Sequence, residues 1–242
     1  MEVDLLGLLV AGVAAFGLAM LSAIAGFGGG VLLLPVFAAL FGPRAAAPML
    51  TLAQIGSNSG RVLLNRGELS RPVIGWFALG AVPMAIAGAL LLASAPLSGL
   101  KRGLGAFLVA VVVWRRLRPR LGMGGTKGFG LVGAASGFVS ALVGSAGPLT
   151  APFFLAYGLT RGAYIGTEAA CALVLHLTKT VAYGGVSLLT PQIVLYGAML
   201  TPATVAGAWV GKRLVDRLDD RVFVLLVEVG LAASGLLYLA GF

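Results

Sequence analysis

Ten apolar segments follow one another along this chain, at 5–25, 27–42, 45–65, 73–95, 98–114, 129–147, 148–159, 163–184, 191–211 and 222–241, and most charged residues lie in the short loops between them. Such a string cannot fold in water. Most of a folded protein's surface must face its solvent, and too few polar residues exist here to cover it. Apolar residues are 59% of the 242 and charged residues 10%, against roughly 25% charged in a soluble domain. Lipid as solvent removes the conflict. A helix crosses the hydrocarbon core with about 20 residues, so these segments use up the chain and leave no room for a soluble domain. The expectation is an all-α polytopic membrane protein, a single transmembrane domain over residues 1–242.

Two segments are short. Residues 27–42 and 148–159 barely reach across a core of about 30 Å, whether they cross or re-enter. Each adjoins a glycine-rich break, Gly26-Phe27-Gly28-Gly29-Gly30 or Gly144-Ser145-Ala146-Gly147-Pro148, and each carries a proline, Pro35 or Pro152. A break frees backbone groups that lipid cannot satisfy, so it must be buried in protein or line a wet cavity. The breaks belong to a repeat. Leu21-Ser22-Ala23-Ile24-Ala25-Gly26 reads like Val139-Ser140-Ala141-Leu142-Val143-Gly144. Pro35 then falls on Pro152, Arg44 on Arg161, Gly67–Ser70 on Gly184–Ser187, Pro72 on Pro191, Pro83 on Pro202 and Ala87-Gly88 on Ala206-Gly207. The shared order and near-constant offset predict two copies of about five segments, 5–114 and 129–242, joined by a basic loop at 115–128.

Five segments per copy is an odd number, which predicts that the second copy is inverted. The charges give a separate test. With the N-terminus outside, loops 66–72, 115–128, 159–162 and 212–221 face the cytoplasm. They hold Arg66, Arg71, Arg115, Arg116, Arg118, Arg120, Lys127, Arg161, Lys212, Arg213, Arg217 and Arg221, against Arg44, Lys101 and Arg102 outside. That is the bias of the positive-inside rule, and it places both termini outside. The net charge of +9 is then a topology signal, and no nucleic-acid partner is expected. Arg115-Arg116-Leu117-Arg118-Pro119-Arg120 reads as a cytoplasmic anchor that also meets anionic headgroups. Met1-Glu2-Val3-Asp4 is acidic where a signal peptide is basic, so the first segment is expected to be retained. The single cysteine, Cys171, rules out an intrachain disulfide.

The strongest candidate site is the pair of glycine breaks. A helix that starts after such a break turns N–H groups and the positive end of its dipole toward the membrane interior. Two half-helices, with Gly28, Gly29 and Gly30 at one and Ser145 and Gly147 at the other, would form an anion site. Close helix packing is the plainer use of small residues. The third segment of each copy is the second candidate. Gln54, Asn58, Arg61 and Asn65 share one helical face, and Glu168, Ala172, Leu175 and Lys179 share another, with His176 and Tyr183 at its edge. Ionisable residues inside a membrane are costly and are functional candidates by default. Arg61 or Lys179 would hold an anionic substrate, and Glu168 or His176 would relay a proton. The alternatives are that Arg61 snorkels to the nearby loop and that His176 is a structural hydrogen-bonding residue. Glu168 and Lys179 lie three turns apart, so each needs another partner. Glu228 reads as a paired or solvated structural residue.

The remaining motifs exclude other chemistry. The triple glycine lacks the later acidic partner of a dinucleotide fingerprint, and Gly122-Met123-Gly124-Gly125-Thr126-Lys127 has the wrong order for a phosphate loop. No Ser-His-Asp set, cysteine pair or HExxH occurs, and one His with one Cys makes no common zinc site. Neither an enzyme, a metal nor a cofactor is expected. At Ala25-Gly26-Phe27-Gly28-Gly29-Gly30 with Pro35, its echo from Gly144 to Pro152, and the Pro83/Gly88 and Pro202/Gly207 segments, the chain resembles the sulfite exporter TauE/SafE family, also called the toluene sulfonate uptake permease family. The second motif departs, with Ser145-Ala146-Gly147-Pro148 in place of a fuller glycine run. The resemblance implies a bacterial inner-membrane permease for small sulfur-containing anions such as sulfite, sulfoacetate or other organosulfonates. Inverted repeats with matched breaks point to secondary active transport, with a proton or the membrane potential as drive. A passive anion channel would use the same glycines. Monomer and homodimer both fit.

Overall fold

The computed structural model describes residues 5–25, 33, 37, 40–41, 43–92, 125–144, 146–226 and 229. Every described element is a helix: α1 Leu5–Ala25, α2 Pro43–Leu64, α3 Arg71–Leu92, a 3₁₀ turn at Thr126–Gly128, α4 Phe129–Val143, α5 Gly147–Ala156, α6 Arg161–Gly185 and α7 Pro191–Val215. Residues 220–226 are helical as well. The expected segments at 27–42 and 222–241 are described only at scattered positions or in part, and 98–114 lies outside the described residues, as do Gly28, Gly29, Gly30, Ser145 and Glu228.

Local chemistry sets the helix ends. Gly144 takes φ +86° and donates its N–H to Ser140 O at 2.8 Å, which stops α4 at Val143, short of the expected 147. Helix α5 then starts with Pro148 in its first turn, where the missing N–H costs nothing. Its ten residues rise only about 15 Å, half the hydrocarbon thickness. Helix α7 runs past the expected 211 to Val215. Lys212 and Arg213 in its last turn suit the negative end of the helix dipole, and Lys212 pairs with Asp216 at 2.8 Å.

The long helices sort into two kinds. Gly7–Ile24, Arg71–Leu91 and Pro191–Val215 are long and apolar enough to cross a membrane, and no more than a third of each is buried in the protein. Their outer faces expose Val13, Leu79, Leu90, Leu195 and Met199, as lipid requires. Helices α2 and α6 are as long, but their polar residues point inward. Gln54, Ser57, Asn58, Arg61, Thr167, Glu168, His176 and Lys179 are all buried. The protein is apolar outside and polar within.

Contacts fix the direction of each helix. Gly207 meets Phe16 and Gly211 meets Met20, so α7 runs parallel to α1. Leu52 meets Gly197 and Gly56 meets Thr201, so α2 runs the same way. Ser70 bonds Thr167 while Ala89 clusters with Tyr183, which makes α3 parallel to α6; Gly133 lies on Phe77 and Gly88 on Phe138, which makes α4 parallel to α3. Between the sets, Arg61 meets Glu168 whereas Glu68 meets Gly162, so α2 and α6 are antiparallel. Helices α1, α2 and α7 therefore run one way, and α3, α4 and α6 the other. The packing is reciprocal: α1 lies on α7 as α4 lies on α3, and α7 lies on α2 as α3 lies on α6.

Small residues permit this closeness. A Cβ placed on Gly88 would sit 2.6 Å from Phe138 O, and one on Gly211 would sit 2.6 Å from Met20 O. Membrane helices associate by van der Waals contact, and backbone approach is what small residues provide. Gly88→Val should lower the melting temperature of the detergent-solubilised protein by the equivalent of about 1–3 kcal/mol of overpacking. Gly75→Ala, on a stretch with open space around it, should leave the temperature unchanged or raise it slightly.

Candidate functional site

The polar face of α2 is wired along its own helix. Asn58 donates from Nδ2 to Gln54 O at 2.8 Å, and Asn65 from Nδ2 to Arg61 O at 2.8 Å. Asn58 Oδ1 accepts from Arg61 Nη2, which braces the guanidinium. Arg61 Nη1 then donates to Glu168 Oε2 of α6 at 3.1 Å. Arg61 is 1% exposed and Glu168 2%, so the guanidinium does not snorkel: the loop carrying Glu68 and the N-terminal part of α6 cover its route to water. The partner that Glu168 needs is Arg61.

Lys179, lower on the same helix face, has a different role. Its ammonium donates to Ser140 Oγ at 2.9 Å, Gly144 O at 3.1 Å and Ser140 O at 3.4 Å. These oxygens stand at the C-terminal end of α4, where carbonyls lack helical partners and a cation is favoured. Tyr183 ties the same two helices together through its hydroxyl, donated to Ala141 O at 2.7 Å. Helix α5 is seated by rings. Phe154 stacks on Phe129 at 5.3 Å and meets Tyr164 edge-on at 6.0 Å, and Tyr164 meets Phe223 at 5.4 Å. Offset and edge-on pairs of this kind are the favoured arrangements.

These elements close around one small cavity of about 20 Å³, room for a single water. Gln54, Asn58 and Arg61 line it from α2, and Glu168, Cys171, Ala172, Leu175 and His176 from α6. Ser140 reaches it from α4, Phe77 from α3, and Ala146, Gly147 and Thr150 from the break and first turn of α5. Three lining residues carry buried polar atoms with no hydrogen-bond partner among the described residues: Gln54 Oε1, Arg61 Nε and His176 Nδ1. Buried polar groups are rarely left so, and unmet ones mark a place where water or a ligand belongs.

Of the residues nominated from sequence, the structure brings Gln54, Asn58, Arg61, Gly147, Glu168 and His176 to this cavity. Lys179 stands behind Ser140 and is not among the lining residues. Sequence reasoning passed over Ser140, Thr150 and Cys171. For Ser140 a signal existed, since it is the serine shared by the two glycine motifs.

Apolar outer faces, a buried polar interior and a half-length helix ending at an internal cavity define a polytopic membrane protein built around a central polar site. The family model of the sulfite exporter TauE/SafE family matches residues 10–238, nearly the whole chain. The chain belongs to this family of membrane transporters. No curated protein and no solved structure matches it.

The ion pair makes a specific demand on stability. Removing one partner leaves an uncompensated buried charge, so Arg61→Met and Glu168→Leu alone should each cost about 3–5 kcal/mol. The double substitution leaves no charge behind and should cost less than either single change. Denaturant unfolding in detergent measures all three.

Proposed function

We propose that this protein is a secondary-active permease for small sulfur-containing anions, sulfite, sulfoacetate or another organosulfonate, driven by a proton gradient or the membrane potential. The observation that carries the reading is the buried guanidinium of Arg61. Its Nε is unpartnered beside a cavity lined by Gln54, Asn58, His176 and the start of α5. Guanidinium N–H groups match the oxygens of such anions, and a helix N-terminus adds positive potential. The second half-site, at Gly28, Gly29 and Gly30, would face this one as its counterpart. Ser145 would line the same break, and Lys179 would hold Ser140 in place from behind.

The cavity as it stands has room for only one water, so a bound anion requires it to widen. Alternate opening to the two sides supplies that. Two inverted copies, about 5–114 and 129–242, would rock about the site, and the reciprocal packing and opposed helix directions support such a duplication. The basic loops around Arg66, Arg71, Arg161 and Arg217 gather at one end, where Ser70 bonds Thr167 and Arg161 pairs with Asp220 at 2.7 Å. By the positive-inside rule that end is cytoplasmic, which leaves both termini outside the bacterial inner membrane.

Proteoliposome uptake of labelled sulfite, sulfoacetate and sulfate, with and without a proton gradient, tests the proposal. Saturable, gradient-responsive movement of one anion is expected, and Arg61→Gln should abolish it. Conductance that neither saturates nor responds to the gradient would instead identify a passive anion channel. Cys171, the single cysteine, lines the cavity and reports on occupancy. Methanesulfonate should slow its alkylation by N-ethylmaleimide, and should fail to do so in Asn58→Ala protein.

A further inference from the structure

Resting on the permease reading, we infer that Glu168 is a built-in competitor for the substrate's counter-ion: an entering monoanion takes the Arg61 guanidinium, and Glu168 takes up a proton in the same event. Two observations carry this. Glu168 is Arg61's ion-pair partner at 3.1 Å, and both side chains are buried to within 2%. The same guanidinium lines the cavity and still has its Nε unpaired. The cation that would bind a substrate is therefore already neutralised by a carboxylate.

The consequence follows from the cost of buried charge. An anion that displaces the carboxylate leaves Glu168 without a counter-ion in a dry interior, and an isolated buried carboxylate takes a proton instead of keeping its charge. Among the described residues no other cation is placed to substitute. The groups around Glu168 are Arg61 on α2, Cys171 and His176 on its own helix, and Glu68 in the loop packed on Gly162. Helices α3, α4 and α5 bring Phe77, Ser140 and Thr150, and Lys179 is held by the oxygens of Ser140 and Gly144. The proton comes from the water on the side open at that moment, adds to a Glu168 oxygen, and leaves when the anion leaves and the ion pair re-forms.

Charge balance then sets both stoichiometry and specificity. Before binding, the site holds one positive and one negative charge. After binding, it holds the guanidinium, the anion and a neutral carboxylic acid, so a monoanion travels with one proton and no net charge moves. A dianion would leave an unbalanced charge in the interior. The site thus selects monoanions, hydrogensulfite and singly charged sulfonates, over the dianions sulfate and sulfoacetate, which narrows the proposed substrates.

Methanesulfonate is the suitable probe, because it carries one charge at any working pH and brings no proton of its own. Purified protein in liposomes loaded with a pH-reporting dye is given labelled methanesulfonate or labelled sulfate, with the potential clamped by potassium and valinomycin. Expected are one proton per methanesulfonate, a rate indifferent to the potential, and no sulfate uptake. In Glu168→Gln protein, proton movement with methanesulfonate and its accumulation along a pH gradient should both be lost. Potential-dependent uptake without proton movement would overturn the inference and leave the permease standing, as would a Glu168→Gln protein that still concentrates the anion along the pH gradient. Wild-type protein that moves no anion would overturn both. If the substituted protein does not fold, the wild-type stoichiometry decides alone.

Discussion

The contact between Arg61 and Glu168 is the one on which the interior depends. It joins residues 107 positions apart, one from each half of the chain, and both side chains are buried. Two charges in such a place cost several kcal/mol each before their mutual attraction repays it, so everything nearby is arranged for them. Asn58 braces the guanidinium, Gln54 holds Asn58 through its backbone carbonyl, and Asn65 closes the same helix turn. The polar faces of the helices that carry the pair cannot face lipid, and apolar residues such as Leu63 and Val181 are exposed on their other sides. That is why the outer positions fall to α1, α3 and α7, whose small residues let them pack against the centre while their leucines and valines face outward.

The sequence made the faces legible and left the pairings hidden. Helix α1 has the bounds its hydropathy predicts, and the spacing of Gln54, Asn58, Arg61 and Asn65 predicts one inward face, which the structure has. Periodicity says which side of a helix a residue is on. It does not say what stands opposite, so the nearness of Arg61 to the end of α2 made snorkelling as reasonable as burial. Depth here is set by the loop at Glu68 and by α6, which are distant in sequence or folded back over the arginine. Lys179 shows the same limit. Its place on the face of Glu168 was readable, while its seat on the C-terminal oxygens of α4 depends on the left-handed turn at Gly144, a matter of backbone geometry.

In the proposed duplication, the two halves differ at the charges. The alignment that sets Arg44 on Arg161 sets Arg61 on Thr178 and Thr51 on Glu168. Both threonines turn back on their own helices, Thr51 to Ala47 O at 2.9 Å and Thr178 to Val174 O at 2.8 Å. The aligned positions therefore hold two hydroxyls already satisfied, with no bond between α2 and α6 from either among the described residues. The aligned position of Lys179 is Val62, so the ammonium that holds α4 has no counterpart in the first half either.

This asymmetry bears on how the ends of the pathway close. The ion pair lies toward the end where Glu68 meets Gly162 and Arg161 pairs with Asp220, so that end is fastened by a charged bond between helices. At the aligned position, Thr51 and Thr178 make no such bond among the described residues. A cavity with room for a single water cannot admit an anion unless one end parts. In the proposed permease, parting the far end breaks no ion pair among the described residues. Parting the near end first requires the guanidinium or the carboxylate to find another partner, because neither can be left alone in the interior. In the proposed permease, the end that carries the basic loops is the one whose opening needs a ligand for Arg61, and the carboxylate of Glu168 shows the kind it takes: a small, singly charged group of oxygens.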